Sequence, residues 1–304
     1  MKPAPFAYFA PASLDEALTL LAEHGDDGKL LAGGQSLVPA MNFRLAQPSV
    51  LIDLNGVSEL AYLRSAPSPN GAQASPPAPT GLVIGAMTRQ RTLERSALIA
   101  EHAPLVGATM PYIAHVQIRN RGTLGGSLAH ADPAAELPAV MVALGARFHL
   151  ASRRGRRTVD AANFYQGLFT TDLAADEMLV QIDIPASAPR SGWAIEEFAR
   201  RHGDYAIVGV AAHVALGADG RCTAARLVYF SVGEGPTPAP KAVKALVGQI
   251  PGAASLAAAA ATAAQEDIDP LGDIHASPAY RRHLVEMLGR RALERALARA
   301  QSVS

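Results

Sequence analysis

A chain of 304 residues with 49% apolar and 18% charged side chains is composed like a folded soluble protein, and its length predicts two or three domains. Its 27 basic residues match its 27 acidic ones, so charge gives no reason to expect nucleic acid or an anionic membrane as partner. The only cysteine, Cys222, excludes an internal disulfide and any iron–sulfur cluster held by this chain, and the nine histidines form no metal-binding pair. The start, Met1 to Phe6, carries prolines where a signal peptide needs an apolar run, and the alanine-rich tract Ala253 to Ala264 is too short to span a bilayer. The expectation is a cytoplasmic protein with no metal site and no membrane insertion.

Ser13-Leu14-Asp15-Glu16 reads as a capping box, followed by apolar residues at helical spacing (Leu14, Ala17, Leu18, Leu21) and ended by Gly25. Lys29 to Ala32 predicts a short strand that runs into Gly33-Gly34. A helical segment from Ser36 to Arg44 then leads to a strand at Val50 to Leu54. Strand, helix and strand form a βαβ unit, which puts the first glycine pair at a strand's carboxyl end, where α/β sheets bind ligands. Leu60 to Arg64 and Leu82 to Ala86 predict two more strands, flanking a Pro/Ser/Ala/Gly-rich surface insertion at Ser65 to Thr80. Helical segments broken at Pro104 and Pro111 follow.

The second glycine stretch is Gly122-Thr123-Leu124-Gly125-Gly126-Ser127-Leu128-Ala129-His130-Ala131-Asp132-Pro133. Paired glycines leave backbone N–H groups uncovered, and Gln35, Ser36, Thr123 and Ser127 add donors beside them. Two such loops about ninety residues apart suggest two walls closing on one phosphate-bearing ligand. Neither is a P-loop or a Rossmann fingerprint. Asp132 and Glu136 stand four residues apart. They are either a general acid–base pair or a helix-terminal cap and a first-turn acid.

Beyond it, Ala134 to Leu144 predicts a helix, Ala146 to Ala151 with Arg157 to Asp160 a hairpin, and Glu177 to Ile184 a strand. The basic run Arg153 to Arg157 reads as its solvated turn. A boundary falls at Pro185 to Arg190. Three antiparallel strands (Trp193 to Arg200, Val208 to Leu216, Cys222 to Ser231) follow, with Asp219-Gly220 as a hairpin turn. Helices near Lys241 to Gly248, Ser255 to Glu266 and Pro278 to Gln301 complete an α+β domain.

Ala32-Gly33-Gly34-Gln35-Ser36 resembles the first flavin-binding motif of the FAD-carrying medium subunit of the molybdenum hydroxylases, a family that includes carbon monoxide and xanthine dehydrogenases. Ile118 to Pro138 resembles its second motif, which is long and specific, and the likeness continues through Arg200-Arg201-His202-Gly203-Asp204-Tyr205-Ala206. The resemblance implies an α+β chain. Two FAD-binding subdomains of the vanillyl-alcohol-oxidase type (residues 1–55 and 56–185) would precede a C-terminal α+β domain (186–304) with a three-stranded antiparallel sheet.

By the same resemblance, Leu30, Leu31, Ala32, Gly33, Gly34, Gln35, Ser36 and Leu37 line the pyrophosphate. Gly122, Thr123, Gly125, Gly126, Ser127, His130, Asp132 and Glu136 approach the flavin, ribityl chain and adenine, with Ala114 and Ile118 walling the site. Leu179 matches an apolar position near the adenine or flavin, or else is a core leucine. Tyr205 matches a position at the isoalloxazine edge, or else is a core aromatic. Gln35 excludes a covalent histidyl link at that point. Glu196 or Glu197 stands where vertebrate relatives place a lysine, which bears on whether NAD is the acceptor.

The implied function is that of an FAD-carrying electron-transfer subunit with no catalytic side chain of its own. It takes electrons from two [2Fe–2S] clusters on a small partner and passes them to an external acceptor, while a large molybdopterin partner oxidises the substrate. The implied assembly is a dimer of heterotrimers. Two alternatives stand beside it: an independent FAD-dependent oxidase or dehydrogenase of the same fold, and a non-catalytic nucleotide-binding assembly module.

Overall fold

The computed structural model describes residues 2–66 and 81–302. The insertion expected at Ser65 to Thr80 therefore lies almost entirely outside the described residues. Strand β1 (Ala7–Phe9), helix α1 (Leu14–His24), β2 (Gly28–Leu31), α2 (Leu37–Asn42) and β3 (Val50–Asp53) build the first layer, a three-stranded sheet of order β1-β3-β2. Both outer strands run parallel to β3, the apolar strand at the centre. Helix α1 forms as its sequence predicts: the Ser13 hydroxyl accepts from the Glu16 N–H at 3.2 Å and the Glu16 carboxylate accepts from the Ala12 N–H at 2.8 Å. Its apolar stripe of Leu14, Ala17, Leu18 and Leu21 is buried, and Gly25 ends it. Strand β1 carried no readable pattern, being three exposed residues between prolines.

The second layer holds β4 (Leu63–Ser65), β5 (Leu82–Gly85), α3 (Gln90–Arg95), α4 (Ala97–His102), α5 (Pro104–Thr109), α6 (Val116–Arg121), α7 (Leu124–His130) and α8 (Glu136–Leu144). It continues through β6 (Arg147–Ser152), β7 (Gly155–Asp160), α9 (Ala161–Phe164), β8 (Tyr165–Gly167), β9 (Thr170–Thr171) and β10 (Met178–Ile184). Its antiparallel sheet has the order β4-β5-β10-β6-β7, with β8 and β9 as a separate hairpin. Every residue of α8 from Leu137 to Leu144 is buried, the mark of a helix enclosed on all sides. That helix starts at Glu136, two residues later than its sequence suggests. The basic turn of the β6–β7 hairpin is solvated and paired, Arg154 with Asp176 at 2.7 Å and Arg157 with Glu177 at 2.6 Å.

Strands β11 (Ser191–Ala199), β12 (Ala206–Leu216), β13 (Cys222–Phe230) and β14 (Thr237–Pro238) form the third layer's antiparallel sheet, followed by α10 (Pro240–Leu246), α11 (Ala253–Thr262) and α12 (Pro278–Ser302). The sheet thus has four strands rather than the expected three. The extra strand is two residues long and includes a proline, so it left no alternation to read. Alternate residues of this sheet serve two cores. Ile195, Ala211, Val228 and Phe230 join the second layer's core with α8, while Ala194, Val208, Val210 and Ala212 pack with Leu288, Ala292 and Ala296 of α12. Burial on both faces explains the apolar run of β12 from Ala206 to Ala212. Among the described residues no helix is long and apolar enough to cross a membrane.

Candidate functional site

Strand β2 delivers the chain into Ala32-Gly33-Gly34-Gln35-Ser36, and α2 leaves it. Gly34 has φ +74°, a left-handed value that favours glycine and makes the sharp turn between strand and helix. The Gln35 amide donates to the Gly33 carbonyl at 3.0 Å, closing the turn on itself. Among the described residues no acceptor meets the backbone N–H of Gly33, Gly34, Gln35 or Ser36. Partly exposed, unclaimed and consecutive, these donors are suited to an anion.

The second glycine stretch lies against the first. A Cβ at Gly33 would stand 2.6 Å from the Arg121 carbonyl oxygen and 2.7 Å from Gly122 Cα, and one at Gly126 would stand 3.2 Å from the Ala32 methyl. The two loops therefore meet backbone to backbone, as two walls of one site require. Their glycines differ in use, however. The Gly125 N–H donates to the Ala86 carbonyl at 2.8 Å and the Gly126 N–H to the Thr123 hydroxyl at 3.1 Å, so this pair is not the open donor row its composition suggested. Thr123, buried, is the N-cap of α7, and Gly125 lets that helix sit on Ala86. Ser127 and His130 follow on α7, and Ala131 ends it at φ +51°.

Asp132 accepts from the Ala134 N–H at 2.9 Å, which makes it the cap of a turn and not of α8; Ala135 occupies the N-cap. Glu136 opens α8, and burial, reinforced by the negative Asp132, pushes its carboxyl up to about 7. Glu197 of β11 is raised further, to about 8, by burial and by Glu136, and its Oε2 is buried without a partner. The third layer thus brings a second carboxyl to the end of the motif, one whose role sequence alone had left undecided between Glu196 and Glu197. Glu196 points the other way, paired with Arg295 of α12. Desolvation lowers the His130 imidazole against the opposing pull of Asp132, and its ring lies 5.2 Å from that of Phe169.

Tyr205 is 68% exposed, so it is no core aromatic; desolvation and the field of Asp132 and Glu136 raise its phenol. Gly203 before it packs on the stretch that holds Ala114: a Cβ there would come within 2.9 Å of the Ala114 carbonyl oxygen. Ile118, half-buried, accepts from the Gly122 N–H at 2.7 Å. Leu179, 4% exposed, packs in the core with Leu124 and Leu128 of α7. Two residues absent from the sequence reading, Asn55 and Arg89, connect the loops from behind. The Asn55 amide donates to the Ala32 carbonyl at 3.1 Å, and Arg89 donates to Asn55 Oδ1 at 2.5 Å and to the Arg121 carbonyl. Both also line a cavity of about 450 Å³ with Leu54, Tyr62, Thr88 and Thr92. Neither stands in a motif, so only the fold brings them together.

Known proteins share this architecture throughout. Residues 4–187 match the family model of the FAD binding domain in molybdopterin dehydrogenase, and residues 193–296 that of the CO dehydrogenase flavoprotein C-terminal domain. The 6-hydroxypseudooxynicotine dehydrogenase complex subunit alpha of Paenarthrobacter nicotinovorans is 40% identical over 99% of this chain and 97% of its own length. The carbon monoxide dehydrogenase medium chain of Afipia carboxidovorans is 37% identical over 99% of this chain and 100% of its own. Among solved structures, a carbon monoxide dehydrogenase of Hydrogenophaga pseudoflava matches with a TM-score of 0.91 at 37% identity, covering 98% of this chain and 99% of that one. Quinoline 2-oxidoreductase of Pseudomonas putida 86 matches at 0.89 and 39%, covering 99% of each. The chain belongs to the family of FAD-binding medium subunits of molybdenum hydroxylases. It is an oxidoreductase subunit, and its own cofactor is FAD. The row of unclaimed N–H groups, in a loop without lysine or arginine, fits the diphosphate of that cofactor.

Proposed function

We propose that the first glycine loop holds the FAD diphosphate through the backbone N–H groups of Gly33, Gly34, Gln35 and Ser36, with Leu30, Leu31, Ala32 and Leu37 around it. The observation that carries this reading is that those four donors are unclaimed while the second loop lies directly against them. Gly122, Thr123, Gly125, Gly126 and Ser127 form the facing wall, their glycines giving close approach and their hydroxyls local donors. His130, Asp132, Glu136 and Tyr205 rim the end nearest the C-terminal sheet, and Ala114 and Ile118 close one side. Leu179 contributes packing behind α7.

FAD held there supplies exchange between one-electron and two-electron carriers, which is cofactor chemistry. The chain's part is to bind, orient and shield it. Electrons come from two [2Fe–2S] clusters of a small partner subunit and leave to an external acceptor. Substrate oxidation belongs to a large molybdopterin subunit, and the three assemble as a dimer of heterotrimers in the cytoplasm. In this reading residues 1–55 and 56–185 enclose the cofactor and 186–304 cap it.

Purification of the tagged chain from its native cells, with companion masses, flavin, iron and molybdenum quantified together, tests the assignment. The expected result is one flavin per copy, with two companions and both metals. A yellow, metal-free protein that oxidises a substrate alone would instead establish an independent flavoenzyme, and a colourless one an assembly module. Gly34→Val, with φ +74° and Val38 and Leu31 already near the added side chain, is expected to lose the flavin. Full occupancy in that variant would refute the diphosphate site.

A further inference from the structure

Three chemically different groups stand behind the glycine loops, and each holds the next. The Asp53 carboxylate accepts from the Tyr8 hydroxyl at 2.6 Å and from the Asn55 backbone N–H at 2.9 Å. Burial would raise the Asp53 carboxyl, but the hydrogen bonds from Tyr8 and Asn55 and the field of Arg121 outweigh it and hold it low, as an anion. Asp53 also accepts from the Asn55 side-chain amide. That amide donates in turn to the Ala32 carbonyl at 3.1 Å, in the first loop. Arg89 spans what remains: one arm of its guanidinium donates to Asn55 Oδ1 at 2.5 Å, the other to the Arg121 carbonyl at the start of the second loop. Backbone pairing adds a fixed anchor, since Arg89 and Thr123 form an isolated bridge and the Gln90 N–H donates to the Gly122 carbonyl at 2.9 Å.

In a trans peptide the carbonyl and the following N–H point in opposite directions. Holding the Ala32 carbonyl on Asn55 therefore turns the Gly33 N–H away from the brace. The Gln35 amide does the same one peptide later, by holding the Gly33 carbonyl and turning the Gly34 N–H away from itself. The Ala32 and Arg121 carbonyls, which would repel an anion, are both kept occupied from behind.

We propose that Asn55 and Arg89 are positioning residues for the cofactor: together they set the separation of the two glycine loops and aim the Gly33 N–H at the diphosphate. The inference rests on the diphosphate reading of the first loop. Arg89 also places a cation behind a loop that has none, but a planar fork, unlike a point charge, is needed to reach both acceptors at once.

The test uses the full chain stripped of flavin, titrated with FAD and with riboflavin, which lacks the diphosphate, and melted in parallel. Asn55→Ala is expected to weaken FAD about tenfold while riboflavin affinity and the flavin-free melting temperature stay put. Arg89→Lys, which keeps the charge and loses the fork, is expected to weaken FAD by a smaller factor with the same riboflavin affinity. Unchanged FAD affinity in both variants, or equal weakening of FAD and riboflavin, would overturn the proposal. Gly34→Val separates the two levels. If it retains FAD, the diphosphate site is wrong. If it loses FAD while Asn55→Ala and Arg89→Lys keep it, only the brace is wrong.

Discussion

At Gly33 the backbone of one loop touches the backbone of another, and neither can yield as a flexible side chain would. A Cβ there would meet the Arg121 carbonyl oxygen at 2.6 Å, so Gly33→Ala must push the loops apart. The expected loss is about 1–3 kcal/mol of stability, as for other overpacked sites, together with flavin retention. Thermal melts and the flavin-to-protein ratio check both. Glu136 and Glu197 make a second prediction. Their carboxyls titrate at about 7 and about 8 in the fold, against 4.5 for an ordinary glutamate. The native state therefore binds more protons than the unfolded chain between those values, and their contribution to stability is lost as pH rises from about 4.5 to about 8. Glu136→Gln and Glu197→Gln should each flatten that decline in melts across this range; an unaltered slope would mean the carboxyls are not desolvated. The glycines and Glu136 could be picked out in the sequence because a motif frames them. Asn55, Arg89 and the choice of Glu197 over Glu196 could not, since their contacts join residues tens of positions apart.

Elements with a strong period were legible, and short ones were not. Helix α1 has its cap, its apolar stripe and its terminal glycine in sequence order, and the structure reproduces all three. Strands β1 and β14 are set by pairing, to β3 and β13, and not by any alternation of their own. The contact between β11 and α12 is likewise invisible in sequence, although one glycine depends on it. A Cβ at Gly192 would fall 1.9 Å from the Ala296 carbonyl oxygen and 2.5 Å from the Ala300 nitrogen. Gly192→Ala should lift α12 off the sheet and lower the melting temperature. Flavin stoichiometry at low temperature should survive, because the glycine loops lie in the other two layers. Loss of flavin with no change in melting would contradict this division of roles.

For the molecule as a whole, a cofactor held between the first two layers should stabilise both. Saturation with FAD at about a hundred times its dissociation constant is expected to add about 2.7 kcal/mol, read as a rise in melting temperature that riboflavin only partly reproduces. The three layers are not three separate cores. Ile195, Ala211, Val228 and Phe230 of the C-terminal sheet complete the apolar interior around α8. The two family models divide the chain near residue 190, but the oily interior crosses that line. During synthesis, the segment that will hold the cofactor leaves the ribosome with α8 still uncovered on one side. It has to wait for Phe230, 86 residues beyond the end of α8 at Leu144, before that surface is covered, and until then it is a target for chaperones and a risk for aggregation.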